Sequence, residues 1–432
     1  MTLANPLAEQ FPPLSRQEAL VEANRCLYCY DAPCTHACPT HIDVPRFIKK
    51  IATDNLNGSA RAIFEANLLG ATCARVCPVQ ELCEGACVLG KEHKPITIGR
   101  LQRYAMDHAY RHGLRPKIAA ASTGKRAAVV GSGPAGLSCA GELARRGHAV
   151  TVFERRDLAG GLSTYGIIAL REPMEAALDE AGLIESLGVC IETGRELGRH
   201  FTLQDLQARF DAVFLAVGLG GTRAIGIPGE ELIEDGLDYI ERSKLDGARL
   251  RVGRRVAVIG AGNTAIDCAT IARRLGAERV TMIYRRSAEE MTAYAHEFEF
   301  VKNEGVEFRF LTQPVRVIVE DGRVRRLACI RMELGPPDGS GRRVPRPAGT
   351  AEFTIDADQV VKAVGQEKPP LAQKLGLATV RGYVQVSADF ETNLPGVFAG
   401  GDCIRAKNAA STVMAVQDGK LAAEAIHRRL AD

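Results

Sequence analysis

Thirteen cysteines occur in this chain of 432 residues, and eight of them fall in two short runs. The first run, CLYCYDAPCTHACP at 26–39, spaces them as Cys26-x2-Cys29-x4-Cys34-x3-Cys38, with Pro39 directly after. The second, CARVCPVQELCEGAC at 73–87, supplies Cys73, Cys77, Cys83 and Cys87. Three chemistries use such clusters. Disulfides require an oxidising compartment. The opening residues MTLANPLAEQFPPLSRQEAL have no basic head followed by an apolar core. No stretch approaches the roughly 18 apolar residues of a membrane span. The expectation is a cytoplasmic chain with reduced thiols. Zinc asks for two well-separated pairs of ligands. Three close cysteines and a fourth before proline instead resemble the ferredoxin arrangement, in which the fourth cysteine ligates the other cluster. The gap between Cys29 and Cys34 departs from the bacterial ferredoxin spacing.

That crossing rule assigns ligands to two 4Fe–4S clusters. Cys26, Cys29 and Cys34 take Cys87 as their fourth. Cys38 crosses over to join Cys77 and Cys83, and this second cluster is one ligand short. Thiolate is the preferred iron ligand, so Cys73 is the candidate by chemistry.

Elements must position dinucleotides as well as iron. The stretch AAVVGSGPAGLSCAGELARRGHAVTVFE at 127–154 reads as strand, glycine loop, helix and second strand. Gly131-Ser-Gly133-Pro134-Ala135-Gly136 is G-x-G-x-x-G: a tight turn, a close approach for the pyrophosphate, and close helix–strand packing. The helix N-terminus faces the phosphates, and Glu154 accepts from ribose hydroxyls. The stretch RRVAVIGAGNTAIDCATIARRLGAERVTMIYRRS at 254–287 repeats the plan around Gly260, Gly262, Asn263, Thr264 and Ala265. No acid stands at the end of its second strand. Arg285 and Arg286 stand there, and two guanidiniums pair with a 2′-phosphate that a carboxylate would repel. The second site therefore reads as NADP in preference to NAD, and the first, with its acid, as FAD. TNLPGVFAGGDC at 392–403 supplies Gly401 and Asp402 near the flavin ribityl or phosphates, and a helix from about 411 faces the flavin ring. VFLAVGLGG (213–221) and VVKAVGQEKPP (360–370) read as crossover strands between the two nucleotide domains.

The expected fold class is α/β: an N-terminal α-helical iron–sulfur domain (1–115), then two doubly wound nucleotide-binding domains. FAD takes 125–230 and 355–432, and the NAD(P) domain, 231–354, is inserted between them. A net charge of +3 demands neither nucleic acid nor a membrane surface. Cys139, Cys190, Cys268, Cys329 and Cys403 are isolated, which argues against a disulfide reductase with a redox pair. Intact glycine loops argue against a binding module with empty sites.

From about residue 15 onward the chain resembles the flavin–iron–sulfur family of the glutamate synthase small subunit and the N-terminal half of dihydropyrimidine dehydrogenase. CLYCYDAPCTHACPTHIDVPRFI, GATCARVCP, PITIGRLQRYA, GGLSTYGI and GGDC carry the resemblance. DAPC and CPTHIDVPRFI look like the dihydropyrimidine branch. The resemblance implies that Gln102 is the missing ligand of the second cluster and Cys73 a bystander. It places Gly161, Leu162, Arg171 and Thr412 in the FAD set and Gly365 in the NAD(P) set. It implies an electron-input subunit: hydride from NAD(P)H to FAD, then single electrons through two clusters to a hetero-oligomeric partner that carries FMN, further clusters and the pyrimidine site. No residue here stands out as a general acid for a pyrimidine. That branch is usually NAD-dependent, whereas Arg285 and Arg286 look like NADP-binding members. The glutamate synthase small subunit, or a related NADPH-dependent electron-transfer flavoprotein, is the enzymatic alternative.

Overall fold

The computed structural model describes residues 5–117, 120–339, 341–405 and 411–431. They form two compact units. The larger comprises Gln10–Thr164, Arg171–Leu219 and Lys368–Asp432, and the smaller Met1–Glu9, Tyr165–Leu170 and Gly220–Glu367.

The larger unit opens with short helices. Ser15 and Glu18 form a reciprocal capping box that starts Arg16–Asn24. Asp43 caps Val44–Ala52, which buries Val44, Phe47, Ile48 and Ile51. Leu56–Ala66, Gly70–Val76 and Ile98–Arg111 complete the layer. Phe47, Ile48, Ile63, Leu101 and Met106 meet in its core. The chain then enters a parallel sheet through β1 (Arg126–Val130), β2 (Ala149–Phe153), β3 (Cys190–Glu192) and β4 (Ala212–Leu215). Continuous burial of β1 and β4 suits a sheet covered on both faces.

The smaller unit repeats the design with β5 (Glu234–Asp235), β6 (Arg255–Ile259), β7 (Arg279–Ile283) and β8 (Glu307–Arg309). An antiparallel three-stranded sheet follows: β9 (Thr312–Glu320), β10 (Arg323–Pro337) and β11 (Arg343–Asp356). β12 (Gln359–Lys362) then returns to the parallel sheet, whose order is β5-β12-β6-β7-β8. Back in the larger unit, β13 (Thr379–Val380) and β14 (Tyr383–Val384) make a hairpin, and β15 (Val397–Ala399) closes the order β15-β4-β1-β2-β3.

Two expectations shift. The segment assigned to the second FAD half from residue 355 begins with β12, and β12 pairs in parallel with β6 (Val361 opposite Val258). The coenzyme unit thus spans 220–367 rather than 231–354. Val360 and Val361 are buried with Ala257 and Ile259, and that burial fixes the register. The iron–sulfur segment is also not separate from the flavin half. Leu68, Leu69 and Cys73 pack in one core with Ala127, Val129, Leu137 and Phe398. Among the described residues no helix is long and apolar enough to cross a membrane.

Candidate cofactor sites

The two cysteine runs interleave in space. One cavity is lined by Cys26, Cys29, Cys34 and Cys87, together with Leu27, Val88 and Ile98. A second is lined by Cys38, Cys73, Cys77, Cys83 and Gln102, with Val79, Leu82 and Val413. Each cavity gathers residues of both runs, Cys87 with the first and Cys38 with the second. All thirteen cysteines are free thiols. Burial, with Cys87 and Cys26 nearby, pushes the Cys34 thiol up to about 11. A hydrogen bond with Cys73, together with burial, raises Cys77 well above an ordinary thiol, and burial does the same for Cys83. In each cavity burial raises two of the thiols, Cys26 and Cys34 in the first and Cys77 and Cys83 in the second, and a cationic iron–sulfur core would offset that cost of ionisation.

Five donors surround the second cavity, one more than a cluster needs. Gln102 lies on Ile98–Arg111 and is 7% exposed. Its Nε2 donates to the Gly70 carbonyl at 2.7 Å, which fixes the amide and leaves Oε1 without that bond. Cys73 lies on Gly70–Val76 and is buried in the core shared with the flavin half. Both candidates therefore border the cavity.

The first glycine loop joins β1 to the helix Pro134–Arg145. Gly131 has φ 99°, and a Cβ there would lie 2.4 Å from the Ala216 carbonyl oxygen, so only glycine fits. A Cβ on Gly136 would lie 1.9 Å from the Gly131 oxygen, which is the close helix–strand packing expected of it. A Cβ on Gly133 meets nothing within 4 Å, leaving room against the loop. No side chain caps this helix, so its first N–H groups are available to an anion. Glu154 is buried. Its Oε2 accepts from the Ser132 N–H (2.9 Å) and Oγ (2.6 Å), and its Oε1 accepts from the Arg156 N–H (2.8 Å). Gly161 seats on Gly133, and Leu162 beside it is exposed.

Gly401 approaches Ala135, the second residue of that helix. Asp402 is half-buried, and burial with the facing Asp418 raises its carboxyl to about 6. Among the described residues no donor reaches the Asp402 carboxylate, which suits a ligand hydroxyl. Thr412 begins the helix Thr412–Ala431, and this helix crosses Pro134–Arg145 closely: a Cβ on Gly419 would lie 2.1 Å from the Ala135 oxygen. Ser138 Oγ donates to the Val416 carbonyl at the same crossing, at 2.7 Å. Sequence reasoning missed Gly419, whose only signal is a glycine inside a helical pattern. Arg171 is half-buried just ahead of the helix Met174–Glu185.

In the smaller unit Gly260 (φ 140°) and Gly262 lead from β6 into the helix Asn263–Arg274, which again has no side-chain cap. Asn263 Oδ1 accepts from the Tyr294 N–H at 3.3 Å, Thr264 follows it on the helix, and Ala265 is fully buried. Gly365 (φ 93°) follows β12, and its carbonyl accepts from the Arg223 N–H. One correction concerns the end of the second strand. Gly131 N–H bonds the Phe153 carbonyl, and Gly260 N–H bonds the Ile283 carbonyl. Tyr284, not Arg285, is therefore the counterpart of Glu154. Arg285 and Arg286 come one and two residues later, where Arg155 and Arg156 follow Glu154. Burial, Arg286 and Arg342 all depress the basicity of Arg285. Arg286 Nε donates to the Arg343 carbonyl at 2.9 Å. Among the described residues neither Arg285 nor Arg286 has a carboxylate partner.

Two parallel sheets with matching glycine loops and two rings of cysteines define a flavin and nicotinamide oxidoreductase with an iron–sulfur module. Residues 125–419 match the family described as pyridine nucleotide-disulphide oxidoreductase, and residues 4–114 match dihydropyrimidine dehydrogenase domain II, 4Fe-4S cluster. The chain belongs to this pyridine nucleotide-disulphide oxidoreductase family and carries the 4Fe-4S module at its N-terminal side. Among its relatives is the glutamate synthase [NADPH] small chain of Halomonas elongata, 36% identical over 98% of this chain and 93% of the relative. The NAD-dependent dihydropyrimidine dehydrogenase subunit PreT of Escherichia coli is 33% identical over 100% of this chain and 98% of that one. The NADP(+)-dependent formate dehydrogenase subunit beta of Moorella thermoacetica is 37% identical over 92% of this chain, which spans only 60% of that protein. In fold the chain is similar to FprA of Mycobacterium tuberculosis in complex with NADPH (TM-score 0.59, 20% identity, 71% of this chain and 85% of that one). The chain is an NAD(P)H-dependent FAD and iron–sulfur electron-transfer oxidoreductase.

Proposed function

We propose that this chain is the electron-input subunit of a dihydropyrimidine dehydrogenase, drawing on NADPH and serving an FMN-containing partner that reduces uracil or thymine. Gln102 carries the reading. An amide with its nitrogen tied to the Gly70 carbonyl offers Oε1 beside Cys38, Cys77 and Cys83, and the resemblance links a glutamine ligand to the dihydropyrimidine branch. When bound, FAD accepts hydride from NAD(P)H and the clusters carry single electrons onward. The chain's own residues bind and orient. Gly131, Gly133 and Gly136 with the uncapped helix hold the FAD pyrophosphate, and Glu154 and Asp402 accept from its hydroxyls. Gly260 and Gly262 do the same for the nicotinamide coenzyme, with Arg285 and Arg286 for its 2′-phosphate. The Gln102 set is the inner one, because Val413 of the flavin half lines its cavity. The Cys26 set is the outer one, flanked by exposed Leu27, Tyr30 and Val88.

The isolated holoprotein is expected to oxidise NADPH with ferricyanide and to leave uracil and thymine untouched. Pyrimidine-dependent NADPH oxidation by the single chain would overturn the division of labour. A second reading, the glutamate synthase small subunit, has the 36% identity to such chains in its favour. Reconstitution separates the two: an FMN pyrimidine-reducing subunit should restore uracil reduction, and a glutamate synthase large chain should restore nothing.

A further inference from the structure

Tyr284 occupies the strand-end position that faces a coenzyme ribose, the place Glu154 holds in the first site. Its hydroxyl donates to the Glu290 carbonyl at 2.8 Å and accepts from Arg342 Nη2 at 2.8 Å. The same Nη2 donates to the Glu290 carbonyl at 2.9 Å. Arg342 comes from far along the chain, at the turn between β10 and β11. Asp338 N–H bonds the Arg342 carbonyl at 2.8 Å, and Arg342 N–H bonds Asp338 Oδ1 at 3.3 Å. Its neighbour Arg343 holds Arg286 through its carbonyl. The hairpin thus steadies one guanidinium of the strand-end pair and adds a third. Nη2 uses its two hydrogens on Tyr284 and Glu290. Among the described residues the other three N–H donors of Arg342 have no protein partner. Three guanidiniums gathered at one strand end repel one another, and a dianionic phosphate resolves that repulsion with planar, charge-assisted bonds.

We propose that Arg342 is a specificity-determining residue that binds the 2′-phosphate of NADPH across Tyr284, together with Arg285 and Arg286. The proposal rests on the reading of the arginine pair as ligands of that phosphate. The test is calorimetric titration of the FAD- and cluster-loaded chain with 2′,5′-ADP and with 5′-ADP. The parent is expected to bind 2′,5′-ADP at least about tenfold more tightly. Equal binding of the two probes by the parent overturns the coenzyme reading itself. Given that preference, Arg342→Ala should weaken 2′,5′-ADP by about tenfold or more and leave 5′-ADP unchanged, and Arg342→Lys should restore part of the loss. In the ferricyanide assay its KM for NADPH should rise with kcat held. Tyr284→Phe, which removes only the hydroxyl that anchors Nη2, should show a smaller loss of the same selectivity. A preference undiminished in Arg342→Ala, or an equal fall for both probes, overturns the role of Arg342 while leaving Arg285 and Arg286 in place.

Discussion

Gln102 and Cys73 compete for one iron, and their surroundings differ. Cys73 is 2% exposed among Leu68 and Leu69, in the core shared with the flavin half. Gln102 has its nitrogen committed and its oxygen in reserve. Cys73→Ala should therefore keep close to eight irons per flavin, the content of two 4Fe–4S clusters. Gln102→Ala should leave one iron without a protein ligand, shift that cluster's potential and make it oxygen-labile. Iron and acid-labile sulfide per flavin, with electron paramagnetic resonance of the reduced protein, decide between them. Loss of a cluster in Cys73→Ala with Gln102→Ala intact reverses the assignment. Much of this was legible beforehand, because thiol spacing and glycine fingerprints are local signals. The offset of Tyr284 was not, since it depends on where β7 ends and both strands are followed by an arginine pair. Arg342 was equally silent, reaching Tyr284 only through a hairpin 58 residues downstream.

At the scale of elements, the flavin half depends on the crossing of Pro134–Arg145 with Thr412–Ala431. Gly419→Ala would drive a Cβ to within 2.1 Å of the Ala135 oxygen, a backbone atom that has little freedom to yield. Overpacking of this kind costs roughly 1–3 kcal/mol. The variant is expected to melt several degrees lower and to lose FAD on gel filtration, while NADPH analogues still bind. Unchanged flavin content would show that the helices slide apart freely. Both parallel sheets could be read in advance from apolar runs next to glycine loops. The β9–β11 sheet went unread although Asp321-Gly322, both at positive φ, is a two-residue hairpin signal between β9 and β10, because strands that mix arginine with apolar residues blur the period-two pattern. β12 misled for a related reason: a buried apolar run states that it is covered, not which sheet covers it.

At the scale of the whole molecule, Glu180 couples the iron-binding helices to the flavin half. It is buried on Met174–Glu185, and its Oε1 accepts from the Ala71 and Thr72 N–H groups at 2.8 and 2.9 Å, at the start of the helix that carries Cys73. Burial outweighs those bonds and raises its carboxyl to about 8, with nearby Glu172 adding to the shift. The folded chain thus holds this proton above the ordinary carboxylate range. Between about pH 4.5 and 8 it binds more protons than the unfolded chain, so the contribution of Glu180 to stability falls as pH rises through that window. Glu180→Gln keeps the same acceptor oxygen without the ionisation. Its melting temperature relative to the parent should therefore climb from pH 5 to pH 8.5. A gap that stays constant with pH would mean that Glu180 does not titrate there.

The shared core of Leu68, Leu69 and Cys73 with the flavin-half residues Val129, Leu137 and Phe398 bears on biogenesis. The wall of the inner cavity is also part of the flavin half's own interior, so loss of the metal is expected to loosen the flavin as well. A chain produced under iron starvation is therefore expected to retain less flavin, with iron and flavin content per chain falling together.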